Sequence, residues 1–379
     1  MKIALLGTRG IPASYSGFET CVEQLGQRLV ERGHDVTVYC RSHHITYPGT
    51  HYKGMRLVKL PTIRNKYLDT IVHSFLSSIH ALFQRYDVAF YFIVGNSPVT
   101  WMLRLTGTKT VLNVDGLDWK RDKWPPLAKK YIQFAEYLAT QLPTAYFTDS
   151  TVVQDYYRQR YHSHPPYIPY GSEVEILPPG EALVQFNLEP GKYILFVGRL
   201  EPENCAHHLI DAFRQLDTDM KCVIVGDAVY ADDYIISLKE MAKHDPRIIF
   251  TGYVFGKGYH ELGSNAYIFV ETSGVGGTHP ALLEAMAFGN CVIAYNTSEN
   301  LETMGDAGLY YDGVTGAPDL NRVLAALLQN PAKVDRYRHL AQQRAQRMYS
   351  WETVADAYER MCYQMQNHPL PARLVQDES

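Results

Sequence analysis

MKIALLGTRGIPASYSGFETCVEQLGQRLVERGHDVTVYC, Met1 to Cys40, decides how the rest of the chain is read. KIALLG is a continuous apolar run closed by turn residues, which predicts a buried strand. GFETCVEQLGQRLVERG holds Val22, Leu25, Leu29 and Val30 at helical spacing and sets Gly33 where a C-cap is needed. DVTVYC returns to a strand. Strand, helix and strand in succession make a βαβ unit, whose strands lie parallel because the helix carries the chain back along the sheet.

The alternation continues outward. A helix is expected over Leu68–Tyr86, then the strand DVAFYFIV, a helix after Ser97-Pro98, the strand TVLNV, a helix over Lys129–Thr140 and the strand AYFTDS. Between Tyr161 and Gly191 proline and glycine accumulate, which sets a domain boundary near Tyr170. The rhythm restarts with KYILFVGRL, the helix His207–Leu216, KCVIVGD, the helix Tyr234–Lys243, RIIFTG, AYIFVET, the helix Pro280–Phe288 and CVIAY. The reading is α/β: two Rossmann-like, doubly wound parallel-sheet domains, 1–170 and 171–350, facing across a cleft. A last helix, about 351–368, starts at Trp351 behind the N-cap candidate Ser350, and 369–379 reads as a frayed tail.

Composition narrows the function. With 379 residues the chain exceeds one ordinary core, and 46% hydrophobic with 20% charged residues is that of a globular protein. A net charge of -4 provides no basic field for nucleic acid. The six cysteines lack CxxC spacing and read as free thiols in a reducing cytoplasm. The first apolar run is too short for a signal peptide, and no run approaches a membrane span. His43, His44, His207, His208, His162 and His164 read as solvated or packing histidines, since no HExxH is present. No GxSxG elbow supports a hydrolase triad.

Four stretches follow strands, where ligands bind in such sheets. In GTRGIPASYSGFE, Gly7, Gly10 and Gly17 permit close backbone approach, a helix starts near Phe18, and Arg9 suits an anion. The spacing is not GxGxxG, which argues against a dinucleotide cofactor. In VDGLDWKRDKW, Asp115 stands at a strand end with Asp118 beside it, ahead of Lys120, Arg121 and Lys123; a solvated Asp turn is the competing reading. In VGRLEPEN, Arg199 offers a diphosphate its fork of donors, unless it is spent on Glu201 or Glu203. In SGVGGTHPALLEAM, Gly274, Gly276 and Gly277 bare the backbone before a helix start at Pro280 that favours phosphate. Glu284, one turn in, suits a sugar diol, or else merely complements the helix dipole.

These residues resemble the GT-B-fold glycosyltransferases of family 4. The glycine-rich first loop, the GRL of the second half and the GGxxPxLLEAM helix carry the resemblance, with IPYGS (Ile168–Ser172), GDAGLYYD (Gly305–Asp312) and YSWETVADAYERM (Tyr349–Met361). It covers nearly the whole chain. GTRGIPASYSGFET, VDGLDWKRDKW, GRLEPEN and GVGGTHP look like the bacterial rhamnosyltransferases of surface-polysaccharide biosynthesis. The resemblance implies a retaining, metal-independent hexosyltransferase without a cofactor. The substrates would be a nucleotide sugar, dTDP-L-rhamnose first, and a lipid-linked saccharide. The final helix would pack back on the first domain. Arg199 and Asp115 would be the catalytic residues. Gly10, Gly17, Arg199, Asn204, Gly276, Gly277, Thr278 and Glu284 would meet the donor, and Arg9, Tyr15, Asp118 and Lys120 the acceptor.

Three positions depart from the family pattern. The lysine five residues beyond Arg199 is Asn204, so the diphosphate loses a charge that Arg9 or the helix start must replace. The first glutamate of E-x7-E falls on Gly276, which suits a donor with a different hydroxyl pattern, such as a 6-deoxy sugar. Val114-Asp115 stands where many relatives carry a histidine. Donors with uridine or guanosine, a nucleotide-sugar epimerase, a cofactor-binding oxidoreductase and a non-catalytic sugar binder are the competing readings. Lys53, Arg56, Lys59, Arg64 and Lys66 ahead of the apolar helix Leu68–Phe83 are expected either to meet the inner face of the cell membrane or to form a plain basic loop.

Overall fold

The computed structural model describes residues 1–13, 17–65, 68–120, 124–228, 231–275 and 278–375. The chain divides into two compact units, Met1–Gly171 with the segment from Trp351 on, and Ser172–Ser350.

The first unit is built on β1 (Lys2–Leu6), β2 (Asp35–Arg41), β3 (His51–Tyr52), β4 (Met55–Leu60), β5 (Val88–Phe92), β6 (Lys109–Val114) and β7 (Ala145–Thr148). They lie in the order β3-β4-β2-β1-β5-β6-β7. Every pairing is parallel except the β3–β4 hairpin. In the central strand Ile3, Ala4, Leu5 and Leu6 are wholly buried. Each buried Leu or Ile contributes about 1.5–3 kcal/mol, which is why an unbroken apolar run becomes the middle of the sheet. The sheet is crossed by α1 (Gly17–Glu31), α2 (Asp69–Leu82) and α3 (Pro126–Ala139). Gly33, at φ +85°, takes the left-handed turn that closes α1.

Three expectations need correction here. The helix after Ser97-Pro98 is two short 3₁₀ turns, Val94–Val99 and Met102–Thr106, because Pro98 lacks the N–H that would continue an α-helix. The basic stretch from Lys53 is not all loop: Met55–Leu60 pairs with β2. The tail is held rather than frayed over Ala372–Val375, where Leu374 is buried and Arg373 pairs with Asp356 and Glu359.

The Trp351–Met365 helix belongs to this unit and packs on α1. Arg28 and Arg32 bind Glu352 at 2.7 and 2.8 Å, and Arg32 also reaches Glu359 at 3.1 Å. His34 Nε2 lies 3.0 Å from Glu359. A side chain at Gly171 would sit 2.3 Å from the Trp351 indole, so the chain leaves the unit pressed against the helix by which it returns.

The second unit contains β8 (Tyr193–Val197), β9 (Lys221–Val225), β10 (Ile248–Gly252), β11 (Ile268–Glu271), β12 (Cys291–Tyr295) and β13 (Leu309–Tyr311), in the order β10-β9-β8-β11-β12-β13 and all parallel. Along β8, Ile194 and Phe196 enter one core while Tyr193 and Leu195 enter the other, so both faces are covered. All six cysteines are free thiols, and only Cys205 among them is not fully buried.

Burial raises the Glu359 carboxyl, but hydrogen bonds from His34 and Arg373 and their charge outweigh it and hold the group at about 2. A depressed carboxylate stabilises the fold above its unfolded value, and this contribution is lost as pH falls toward 2. Glu359→Gln should cost about 2 kcal/mol at neutral pH, read from the denaturant midpoint, and the difference from wild type should shrink on acidification below about pH 4.

Candidate functional site

Each sheet reverses its strand order once. In the second unit the reversal lies between β8 and β11, and loops after such neighbours diverge to leave a crevice. Arg199 follows β8, and Glu271 to Gly274 close β11. The two loops are sewn together. Thr272 donates its hydroxyl to the Asn204 carbonyl at 2.5 Å, and the Gly274 N–H donates to the Glu203 carbonyl at 3.1 Å. Glu271 accepts from the Ser273 N–H at 2.8 Å. Asn204, expected to meet the donor, is instead buried, and its amide donates to the Arg199 carbonyl at 2.7 Å. This bond ties the Asn204 side chain to the backbone of the Arg199 loop.

Sequence reading missed Gly226. At φ +140° it passes so close beneath Gly198 that an added side-chain carbon would lie 1.8 Å from the Gly198 carbonyl oxygen. The only trace in the sequence is a glycine closing KCVIVGD. Above this contact the Arg199 guanidinium reaches Glu201 at 3.4 Å, a long ion pair, with 31% of its side chain exposed. The expected competition from Glu201 is therefore present and weak.

His279 stands at the N-cap position of the Pro280–Ala287 helix without a side-chain capping hydrogen bond, and Pro280 takes the first helical position. Glu284 is half-buried, and its Oε2 accepts the Tyr259 hydroxyl at 2.5 Å. Burial pushes this carboxyl up to about 7, against the lowering effect of the Tyr259 hydroxyl. Tyr259, from the Gly256–Asn265 helix, was also missed, because nothing in GKGYHELGSN marks it. Thr278 is half-buried ahead of the helix, whereas Gly276, Gly277 and Tyr15 lie outside the described residues.

In the first unit the reversal lies between β1 and β5. Gly7, at φ +97°, leaves room for the Phe92 carbonyl, and Gly10, at φ +108°, rests on Cys40. The loop is held from α1, which begins at Gly17: Glu19 accepts the Arg9 N–H at 2.9 Å and Glu23 accepts the Ala13 N–H at 2.8 Å. Arg9 is half-buried, and its carbonyl accepts the Arg41 N–H at 2.9 Å.

Asp115 is half-buried directly beyond β6, and Asp118 and Lys120 share the following 3₁₀ turn. Lys120 is exposed over the Trp119 ring, whose centroid is 6.3 Å from that of Tyr156. Beneath this loop Glu136, buried on α3, accepts the Tyr156 and Tyr161 hydroxyls at 3.0 and 3.2 Å. Burial pushes its carboxyl up to about 7, partly offset by these hydrogen bonds. Glu136 too was absent from the sequence reading, since one acid in an amphipathic helix looks like surface.

The histidines do cluster. Cys205, His207 and His208 bring ligand-type atoms within 4.8 Å of one another, as do His43, His44 and Asp69. In the first group His207 and His208 each pair a ring nitrogen with a tyrosine hydroxyl. In the second Arg41 lies 2.8 Å from Asp69 and opposes a cation. Among the described residues no helix is long and apolar enough to cross a membrane.

Residues 183–347 match the family described as "Glycosyl transferases group 1", and residues 1–173 match a "Domain of unknown function (DUF1972)". O-antigen chain mannosyltransferase B of Escherichia coli is 30% identical over 49% of this chain and 48% of its own. Alpha-maltose-1-phosphate synthase of Mycobacterium tuberculosis is 26% identical over 48% of this chain and 52% of its own. The chain thus spans about half the length of the curated relatives it matches. Among solved structures, sucrose-phosphate synthase of Thermosynechococcus elongatus has a TM-score of 0.80 at 21% identity, covering 97% of this chain and 99% of that one. HepE of Anabaena, solved with UDP-glucose, has a TM-score of 0.79 at 17% identity, covering 96% and 100%. Both carry the GT-B fold found here.

Gly226→Ala should cost about 2 kcal/mol or more, because both the backbone angle and the Gly198 carbonyl oppose a side chain. Chemical denaturation should reveal the loss, while the like change at Gly191, where a side chain meets open space, should cost less despite its positive φ.

Proposed function

We propose that this chain, whose residues 183–347 match the group 1 glycosyltransferases, moves a sugar from a nucleotide donor to a saccharide acceptor with retention of configuration. The observation that carries the proposal is the sewn pair of loops at the strand-order reversal of the second unit. Their hydrogen bonds fix the backbone of the Arg199 loop against the end of β11, and the Pro280–Ala287 helix, with Glu284 one turn in, lies further along the same unit.

The roles follow from charge. The donor's diphosphate carries negative charge that grows as the sugar departs. Arg199 and the helix N–H groups oppose that charge without having to reorganise, and one such donor is worth about 3 kcal/mol. The acceptor hydroxyl attacks from the face that the diphosphate leaves. Glu284 holds the nucleotide's sugar ring. Asp115 and Arg9, with Gly10, Gly17, Tyr15, Asp118 and Lys120, serve the acceptor side and the loop that lines it.

The donor is dTDP-L-rhamnose, and the acceptor is a lipid-linked saccharide of surface-polysaccharide synthesis. Tyr259 takes one acceptor site on Oε2 of Glu284 and leaves the others for hydroxyls of the nucleotide's pentose. The similarity to an O-antigen chain mannosyltransferase of Escherichia coli supports a polysaccharide product. A UDP-sugar is the second reading, favoured by a half-buried carboxylate able to meet either pentose.

Arg199→Ala should reduce turnover by about a hundredfold or more with an unchanged unfolding midpoint, measured as nucleoside diphosphate release. Unchanged turnover would remove Arg199 from the mechanism. Because the Glu284 carboxyl sits at about 7, the donor KM should rise as pH falls below that value, and Glu284→Gln should flatten the profile.

A further inference from the structure

α2 is packed inside out. His73, Ser74, Ser77 and Ser78, facing the unit's interior, are wholly buried. The serines let the helix approach the sheet closely: Ser78 shares a 2.8 Å hydrogen bond with the Tyr91 hydroxyl and donates to the Ser74 carbonyl at 2.7 Å. Leu68, Val72, Phe75, Ile79 and Phe83 recur at three- and four-residue intervals and form one stripe on the opposite side. Phe75 is 46% and Phe83 80% exposed. An ordinary surface helix spends its apolar stripe on the core. This one docks through small polar residues and leaves the stripe outside, where it forms a patch of the kind that marks an interaction site. The Met102–Thr106 turn, packed on α2, adds exposed Trp101 and Leu105.

The charge around the stripe indicates what covers it. Arg64 precedes it, Arg85 follows it and Arg104 stands on the neighbouring turn, all exposed. From Arg56 to Arg104 the sequence holds six Lys or Arg and two acids. Both acids are engaged: Asp69 with Arg41 at 2.8 Å, and Asp87 with the Lys2 N–H at 2.7 Å. An apolar stripe framed by cations that form no ion pair among the described residues, with a tryptophan beside it, fits the boundary between lipid headgroups and acyl chains.

We propose that the Leu68–Phe83 face of α2 docks this protein on the surface of an anionic lipid bilayer, with the helix lying in the interface. The first residue of α2, Asp69, accepts from the Arg41 guanidinium, and the Arg41 N–H binds the Arg9 carbonyl, so the start of the helix adjoins the Arg9 loop. This deepens the reading of a lipid-linked acceptor and rests on it for its purpose. Binding to vesicles requires neither donor nor turnover, so failure of one reading does not entail failure of the other.

The test is flotation of the full chain with vesicles of phosphatidylcholine alone, or mixed equally with phosphatidylglycerol. The protein should float with the mixed vesicles, far less with phosphatidylcholine, and less in high salt. The double change Phe75→Glu and Phe83→Glu should lower binding about tenfold or more, and Arg64→Glu with Arg85→Glu should abolish the preference for phosphatidylglycerol. The glutamate variants replace exposed side chains, and their circular dichroism should match wild type. Arg64→Glu with Arg85→Glu leaves the stripe intact and tests the same surface if the phenylalanine variants misfold. Absence of flotation, or wild-type flotation of both double variants, would overturn the proposal. So would a dimer in light scattering that the phenylalanine changes dissociate without any vesicle binding, which would give the face to a second copy.

Discussion

The candidate site depends on one buried amide. Asn204 donates to the Arg199 carbonyl, its own carbonyl receives the Thr272 hydroxyl, and the neighbouring Glu203 carbonyl receives the Gly274 N–H. Two loops from adjacent parallel strands, which would otherwise diverge, become one rigid edge. A buried amide left unsatisfied costs about 1–3 kcal/mol, so the arrangement resists loosening. Asn204 thus acts on this edge as a clamp on the arginine backbone.

The same logic recurs in the first unit with carboxylates. Glu19 and Glu23 of α1 reach back to N–H groups of the Gly7–Ala13 loop. Glu136 gathers two tyrosine hydroxyls beneath the loop that carries Asp115 and Asp118. Burial pushes the carboxyls of Glu136, in the first unit, and Glu284, in the second, up to about 7. Glu284 has surface left to meet a ligand, whereas Glu136 is enclosed and acts through the residues it supports.

Much of the fold was legible because a parallel sheet writes itself as unbroken apolar runs. KIALLG, DVTVYC, KYILFVG and CVIAY became β1, β2, β8 and β12 for that reason. Elements with weaker burial escaped. The hairpin strand Met55–Leu60 alternates with Arg56 and Lys59 and reads as a basic loop. The Pro331–Met348 helix buries only Val334, Ala341 and Ala345, too thin a stripe to register. Among the candidate residues, those standing directly beyond a strand, Arg199 in the second unit and Asp115 in the first, were visible in the sequence. Those acting across space were not: Gly226 beneath Gly198, Tyr259 against Glu284 and Glu136 beneath Trp119 become neighbours only when separate elements pack. The inverted polarity of α2 was hidden as well, since a hydrophobic stripe in sequence does not say which way it faces.

Thermal unfolding in the presence of a panel of nucleotide sugars tests the account most directly. If the clamped Arg199 edge is a diphosphate site, one donor, dTDP-L-rhamnose first, should raise the midpoint, and its free nucleoside diphosphate should raise it too. Asn204→Ala should diminish that rise even though Arg199 is retained. A midpoint unmoved by every nucleotide sugar and every nucleoside diphosphate would contradict the assignment of this edge to a donor.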